Sequence, residues 1–223
     1  MRPIVKICGL MRAQDVAMCA RHGVDIAGFV VAYPRPVPWN LSLAEAVELM
    51  AGCTSAMRSC VVTSGSVDHV LAIAARTRPD YIQLHGAEPV ADTARLVEEL
   101  RPRGVRIIKA LFPDMADLEN AARAYCEAGV FALLFDPRTP EKAHQGGAAD
   151  LAVYDRLGAA VRCPVVLAGG ITARNAAEIV RRSKAPMIDL MTGVESRPGI
   201  KEESHVIALL EAISGLSPPD SKR

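Results

Sequence analysis

The feature that most constrains this chain is a strict alternation of two kinds of hydrophobic stretch. Eight short strand-like runs recur in order: "IVKICG", "DIAGFVV", "RSCVVTS", "DYIQLHG", "RIIKAL", "FALLFD", "PVVLAGG" and "MIDLMTG". Each is followed by a stretch with apolar residues at three- and four-residue steps: "AQDVAMCARHG", "SLAEAVELMAG", "SVDHVLAIAAR", "EPVADTARLVEEL", "ADLENAARAYCEAG", "LAVYDRLGAAV", "ARNAAEIVRRS" and "ESHVIALLEAI". That spacing predicts amphipathic helices. A helix after every strand makes the strands run parallel, joined by right-handed crossovers. Eight such units in 223 residues fit a single (β/α)8 TIM barrel, whose usual range begins at about 200 residues. An open doubly wound sheet is the alternative. No G-x-G-x-x-G follows the first strand, and eight similar units favour closure. The expectation is one domain over residues 1–215, with residues 216–223 as a frayed tail.

Composition agrees and removes several function classes. Half the residues are hydrophobic, but only 4% are aromatic, so Ala, Val, Leu and Ile carry the core, as α/β proteins favour. A formal net charge of +1 gives no basic field for nucleic acid. No apolar run reaches the length of a membrane span. The opening "MRPIVKICGL" lacks the pattern of a secretory signal, so the cytoplasm is expected. The six cysteines form no C-x-x-C pair and no zinc-like spacing with histidine. They read as reduced thiols, mostly small buried hydrophobes, with no metal site.

In a barrel of this kind, chemistry gathers at the carboxyl ends of the strands. Here those ends are Cys8-Gly9, Val31-Ala32, Thr63-Ser64, His85-Gly86, Ala110-Leu111, Asp136, Gly169-Gly170 and Thr192-Gly193. Strand period two puts Ile4, Lys6 and Cys8 on one face, opposite Val5 and Ile7, and puts Asp136 on a face with Ala132 and Leu134. The faces bearing Lys6, Cys8 and Asp136 are expected to point inward. A thiol and a carboxyl facing one ligand suit paired general base and acid, if nearby positive charge lowers the thiol's pKa and burial keeps the carboxyl protonated. The plainer readings are a buried filler for Cys8 and a loop cap for Asp136. "LAGGIT" and "MTGVES" each end a strand in glycine, and a helix is expected to start at Thr172 and one soon after Gly193. Loops there often hold a phosphate on backbone N–H groups; the plainer reading is turn glycine. His85 either touches substrate or satisfies a buried contact. Lys6 and Lys109 are further inward-facing candidates, whose plainer role is pairing with carboxylates inside the barrel.

These residues carry a resemblance. "VKICGL", "IAGFVV", "YIQLHGAE", "IIKAL", "LLFD", "VVLAGGIT..N" and "IDLMTGVES.PGIK" occur in order from the first strand to the last helix. Together they resemble the phosphoribosylanthranilate isomerase family of tryptophan biosynthesis. The resemblance implies a (β/α)8 barrel without cofactor, monomeric or homodimeric, acting on a phosphorylated small molecule. It implies an Amadori rearrangement of N-(5-phosphoribosyl)anthranilate, with Cys8 as general base and Asp136 as general acid. It also implies a phosphate held by Gly169, Gly170, Thr192, Gly193 and Val194. The chain departs from the family pattern in four places. The second loop reads "AYPRPVPWNLS", with Trp39 where an arginine for the anthranilate carboxylate is expected. The third strand ends "VVTS", the sixth loop carries "GGAAD" (146–150), and the eighth strand ends "MTGVE". Arg35, in a loop stiffened by Pro34, Pro36 and Pro38, is the expected replacement; Arg138 is its rival. Two alternatives stay open: a divergent relative acting on another phosphorylated aminosugar adduct, and a sugar-phosphate-binding barrel without turnover.

Overall fold

A computed structural model describes residues 2–137 and 150–216. Arg138, residues 146–149 of the sixth-loop motif and nearly all of the expected tail lie outside the described residues.

All eight expected strands form: β1 (Ile4–Ile7), β2 (Ile26–Val31), β4 (Arg58–Thr63), β5 (Tyr81–Leu84), β6 (Arg106–Leu111), β7 (Ala132–Phe135), β8 (Val165–Ala168) and β9 (Met187–Leu190). A two-residue strand, β3 (Asn40–Leu41), lies between β2 and β4 in the chain. The eight long strands pair in parallel around a ring that β1 closes against both β2 and β9. Among the described residues eight α-helices follow them in turn: α1 (Ala13–Arg21), α2 (Leu43–Met50), α3 (Val67–Thr77), α4 (Val90–Leu100), α5 (Leu118–Glu127), α6 (Leu151–Ala160), α7 (Ala176–Ser183) and α8 (Glu203–Ile213). The chain is thus a (β/α)8 TIM barrel.

Alternation along each strand sorts the core into two layers. Val5, Ile7, Phe29, Val61, Ile82, Leu133 and Phe135 face the helices. Ile26, Cys60, Ile108, Ala132, Leu134, Val166 and Met187 fill the barrel itself. Each Val, Leu, Ile, Phe or Met side chain among them gains about 1.5–3 kcal/mol when fully buried. The barrel also takes in charge: register sets Lys6 beside an acid, and the loop after β5 brings one to Lys109. Lys6 lies opposite Asp189 on β9, and its ammonium bonds both carboxylate oxygens at 2.9 Å. Lys109 bonds Glu88 Oε2 at 3.0 Å and the Gly86 carbonyl at 2.6 Å. Both lysines pair with carboxylates, the plainer of their two readings.

Local chemistry fixes the element ends. Ser42 and Glu45 close a capping box on α2. Asp150 accepts from the Ala152 and Val153 amides at the start of α6. At the opposite pole, Asp25 accepts from Val5 N at 2.7 Å and Asp80 from Ser59 N at 2.8 Å. Those turn aspartates satisfy the second amides of β1 and β4.

Two boundaries differ from expectation. Helix α7 begins at Ala176 rather than Thr172. The Asn175 side chain accepts from Thr172 N at 2.8 Å and donates to the Gly170 carbonyl at 2.9 Å, so residues 172–175 form a side-chain-closed turn. After β9 the chain makes a 3₁₀ turn (Thr192–Val194) and a small hairpin, β10 (Glu195–Arg197) with β11 (Ile200–Lys201), before α8.

Candidate active site

A pocket opens at the carboxyl ends of the strands. Its lining includes Cys8, Val30, Tyr33, Val37, Trp39, Val62, Gln83, His85, Asp136, Gly169, Gly170, Asp189, Met191, Thr192 and Gly193. Seven of the nine predicted site residues are therefore together. Val194 is buried behind its loop. Arg35 sits on the exposed part of the β2 loop, while Tyr33, Val37 and Trp39 of that loop face the pocket.

Cys8 follows β1 directly and is 2% exposed. It has room because β2 carries Gly28 opposite it: a Cβ there would lie 2.9 Å from Cys8 Cα and 3.1 Å from Sγ. Burial pushes the thiol's pKa up; Lys6 pulls it down, Asp189 pushes it up and Lys201 pulls it down, and the balance stays above the ordinary thiol value of 9.0. For Lys6, burial lowers the pKa, but Asp189, Cys8 and Cys60 outweigh it and hold the ammonium charged. A cation is thus fixed under the thiol, where a thiolate would gain most from it.

Asp136 follows β7, 2% exposed, on the inward face. Its Oδ2 lies 3.5 Å from His85 Nε2. Gln83 Nε2 is 3.0 Å from His85 Nδ1. That contact sets the Gln83 amide beside the ring nitrogen remote from Asp136. Phe112 meets the imidazole edge-on at 5.2 Å, and Tyr33 Oη donates to the His85 carbonyl at 2.7 Å.

The two glycine loops meet at the mouth. Gly169 and Gly170 have φ of +94° and +61°, a region other residues adopt at a cost. A Cβ on Gly193 would stand 1.8 Å from the Ile171 carbonyl oxygen. Only glycine lets these two turns come together. The arrangement offers a thiol on one side, a carboxyl on the other and a glycine backbone rim, which suits proton transfers on an anionic ligand.

Sequence reasoning missed Gly28, Gln83, Asp189 and Tyr33. Gly28 carried a signal, since glycine inside a strand marks close backbone approach. Asp189 carried another: it stands alone in the apolar "MIDLM" two residues from Met187, on the inward face.

Comparison with known proteins places this chain in a family. Residues 5–212 match the family model described as N-(5'phosphoribosyl)anthranilate (PRA) isomerase. An N-(5'-phosphoribosyl)anthranilate isomerase of Nitrobacter winogradskyi is 36% identical over 213 residues, covering 94% of this chain and 92% of that protein. The solved phosphoribosyl anthranilate isomerase of Thermus thermophilus superposes with a TM-score of 0.80 at 27% identity, covering 97% of this chain and 100% of the other. A solved isomerase in complex with reduced 1-(o-carboxyphenylamino)-1-deoxyribulose 5-phosphate superposes with a TM-score of 0.75 at 25% identity, covering 97% and 100% of the two chains. This chain belongs to the N-(5'-phosphoribosyl)anthranilate isomerase family.

Proposed function

We propose that this protein converts N-(5-phosphoribosyl)anthranilate to 1-(2-carboxyphenylamino)-1-deoxyribulose 5-phosphate, an Amadori step of tryptophan biosynthesis. The observation that carries this reading is the facing of Cys8 and Asp136 across one pocket whose rim is the pair of glycine turns.

Asp136 acts as the general acid. It gives a proton to the furanose ring oxygen, the C1–oxygen bond breaks, and the nitrogen lone pair forms a C1=N bond. Cys8, as thiolate, then takes the proton from C2. The C–H electrons form a C1=C2 bond and the C1=N pair returns to nitrogen. The enol so made becomes the C2 ketone by losing its hydroxyl proton and gaining one at C1. Lys6 sets the charge beneath the thiol throughout. The phosphate takes backbone N–H groups of Gly169, Gly170, Thr192, Gly193 and Val194. His85, beside Asp136, contacts the substrate. Arg35 is assigned to the anthranilate carboxylate: guanidinium suits that group, and Arg35 shares a proline-stiffened loop with three pocket residues. A related enzyme holding the reduced product supports a phosphorylated small molecule as ligand. We take the protein to act as a monomer or a homodimer. Among the described residues no helix is long and apolar enough to cross a membrane, and we assign the reaction to the cytoplasm.

The test is a direct assay with freshly made phosphoribosylanthranilate, followed by the loss of anthranilate fluorescence. Turnover is expected, and Cys8→Ala should lower it by roughly 10²–10⁴-fold. No turnover by the native protein, with another phosphorylated aminosugar adduct consumed instead, would overturn the substrate.

A further inference from the structure

One wall of the pocket is apolar and aromatic. Val30, Trp39 and Val62 are buried there, with Tyr33, Val37 and Met191 packed against them. Trp39 is held from three sides. Its Nε1 donates to Glu195 Oε1 at 2.8 Å. That same oxygen accepts from Lys201 Nζ at 2.7 Å and from Gly199 N at 3.1 Å. Glu195 and Lys201 side chains are 4% and 0% exposed, so this is a buried, charge-assisted cluster. The second side is Gly9, just after Cys8. A Cβ there would lie 2.8 Å from Trp39 Cδ1, so the indole packs directly on the backbone that follows the thiol. Strand β3 adds the last restraint. It pairs with Val30 and Val31 of β2, one residue beyond Trp39, and anchors the loop to the barrel.

We propose that Trp39 determines specificity at the aryl end of the pocket, its indole packing against the ring of an N-aryl substituent, and that Glu195 is the positioning residue that fixes the indole. This rests on the isomerase reading above and names what its aryl site selects. An indole whose N–H is already satisfied presents a face without an unpaired polar group, and aromatic rings pack on such faces in offset or edge-on geometry. Because Glu195 opens the hairpin directly after the Thr192–Val194 turn, the wall is tied to the loop assigned to the phosphate. The distance between the ligand's two ends is thereby set by one buried carboxylate.

The chain has a single tryptophan, so its emission reports this wall without any substitution. Titration with anthranilate should quench that emission to saturation, and inorganic phosphate should not. In the assay, Trp39→Ala should raise KM about tenfold or more with a smaller change in kcat. Trp39→Phe should recover most of the loss, and inhibition by inorganic phosphate should stay unchanged in both. Glu195→Gln should shift the tryptophan emission to longer wavelength and raise KM in the same sense. Emission unmoved by anthranilate, or an unchanged KM in Trp39→Ala while the native protein turns over phosphoribosylanthranilate, would overturn this inference and leave the isomerase reading intact. Absence of turnover in the native protein would instead strike that reading. If Trp39→Ala does not fold, the native titration and Trp39→Phe decide the matter.

Discussion

At the scale of the residue, the proposed role of Cys8 as base turns on how a buried thiol would be made basic. Burial is the largest influence on Cys8 and raises its pKa, with Lys6 the chief counterweight and Asp189 opposing Lys6. The fraction of thiolate should therefore still be rising at the ordinary thiol value, and kcat/KM should show a limb above pH 9.0. Asp189→Asn removes the anion that raises the thiol's pKa and frees Lys6 to act on sulfur. The limb should then move to lower pH, whatever the effect on the maximum. A pH–rate profile of the variant checks this; a limb that stays put would separate Cys8 from the titration. Arg35 makes a second residue-scale case. A charge-assisted pair is worth roughly 1.5–3 kcal/mol, so Arg35→Ala should raise KM by about 10- to 100-fold with the fold intact. An unchanged KM, or a larger loss in Arg138→Ala, would move the carboxylate elsewhere. Cys8 and Asp136 were legible because each ends a strand on a face that period two points inward. Asp189 and Glu195 were harder to read. Their roles depend on which strand or loop closes against which, and a barrel's closing pair joins residues as far apart as Lys6 and Asp189.

At the scale of the element, the two glycine turns after β8 and β9 act as a unit. The sequence places glycines at both strand ends, and that much was readable. The side-chain-closed turn at 172–175 and the hairpin after Val194 were not. Each arises from a contact that helical spacing does not encode: Asn175 reaching back to Gly170 and Thr172, and Glu195 gathering Lys201 and Gly199. The same economy of space gives a prediction. In Gly193→Ala the new methyl would stand 1.8 Å from the Ile171 carbonyl oxygen, and that neighbour is backbone, which cannot swing away. The two turns must part. A misplacement of about 1 Å at a positioning element can cost roughly 100-fold. Gly193→Ala should therefore weaken inhibition by inorganic phosphate and raise KM by a factor of that order, while thermal unfolding shifts little. Phosphate inhibition equal to that of the native protein would show that this rim does not hold the anion.

At the scale of the whole molecule, the barrel was readable because alternation leaves few solutions: eight parallel strands with helices between them close, and inward faces follow from the pleat. The same closure buries thiols in several layers, and this sets how stability depends on pH. Burial is the largest influence on each of five cysteines. It raises Cys53 to about 11 and Cys19 and Cys60 to about 12, against an ordinary 9.0, and moves Cys8 and Cys163 in the same direction. A group whose folded pKa lies above its unfolded value holds its proton more tightly when folded. Its contribution is whole below the unfolded value and is lost as pH climbs through the folded one. Lys6, raised by Asp189 against the pull of burial, and Tyr154, raised by burial, act in the same sense. Lys109 alone among these groups works the other way, since burial outweighs Glu88 and lowers it. The sum favours the thiols. The urea midpoint should hold steady up to about pH 9 and then fall continuously toward pH 11 and beyond, with the slope of the transition unchanged. Cys60→Ala, which removes one buried thiol from the barrel interior, should lower the midpoint at neutral pH through the small cavity it leaves. It should also make the alkaline fall shallower. A midpoint that is flat from pH 8 to 11, or a fall equally steep in Cys60→Ala, would mean that the buried thiols do not govern the alkaline limit of this fold.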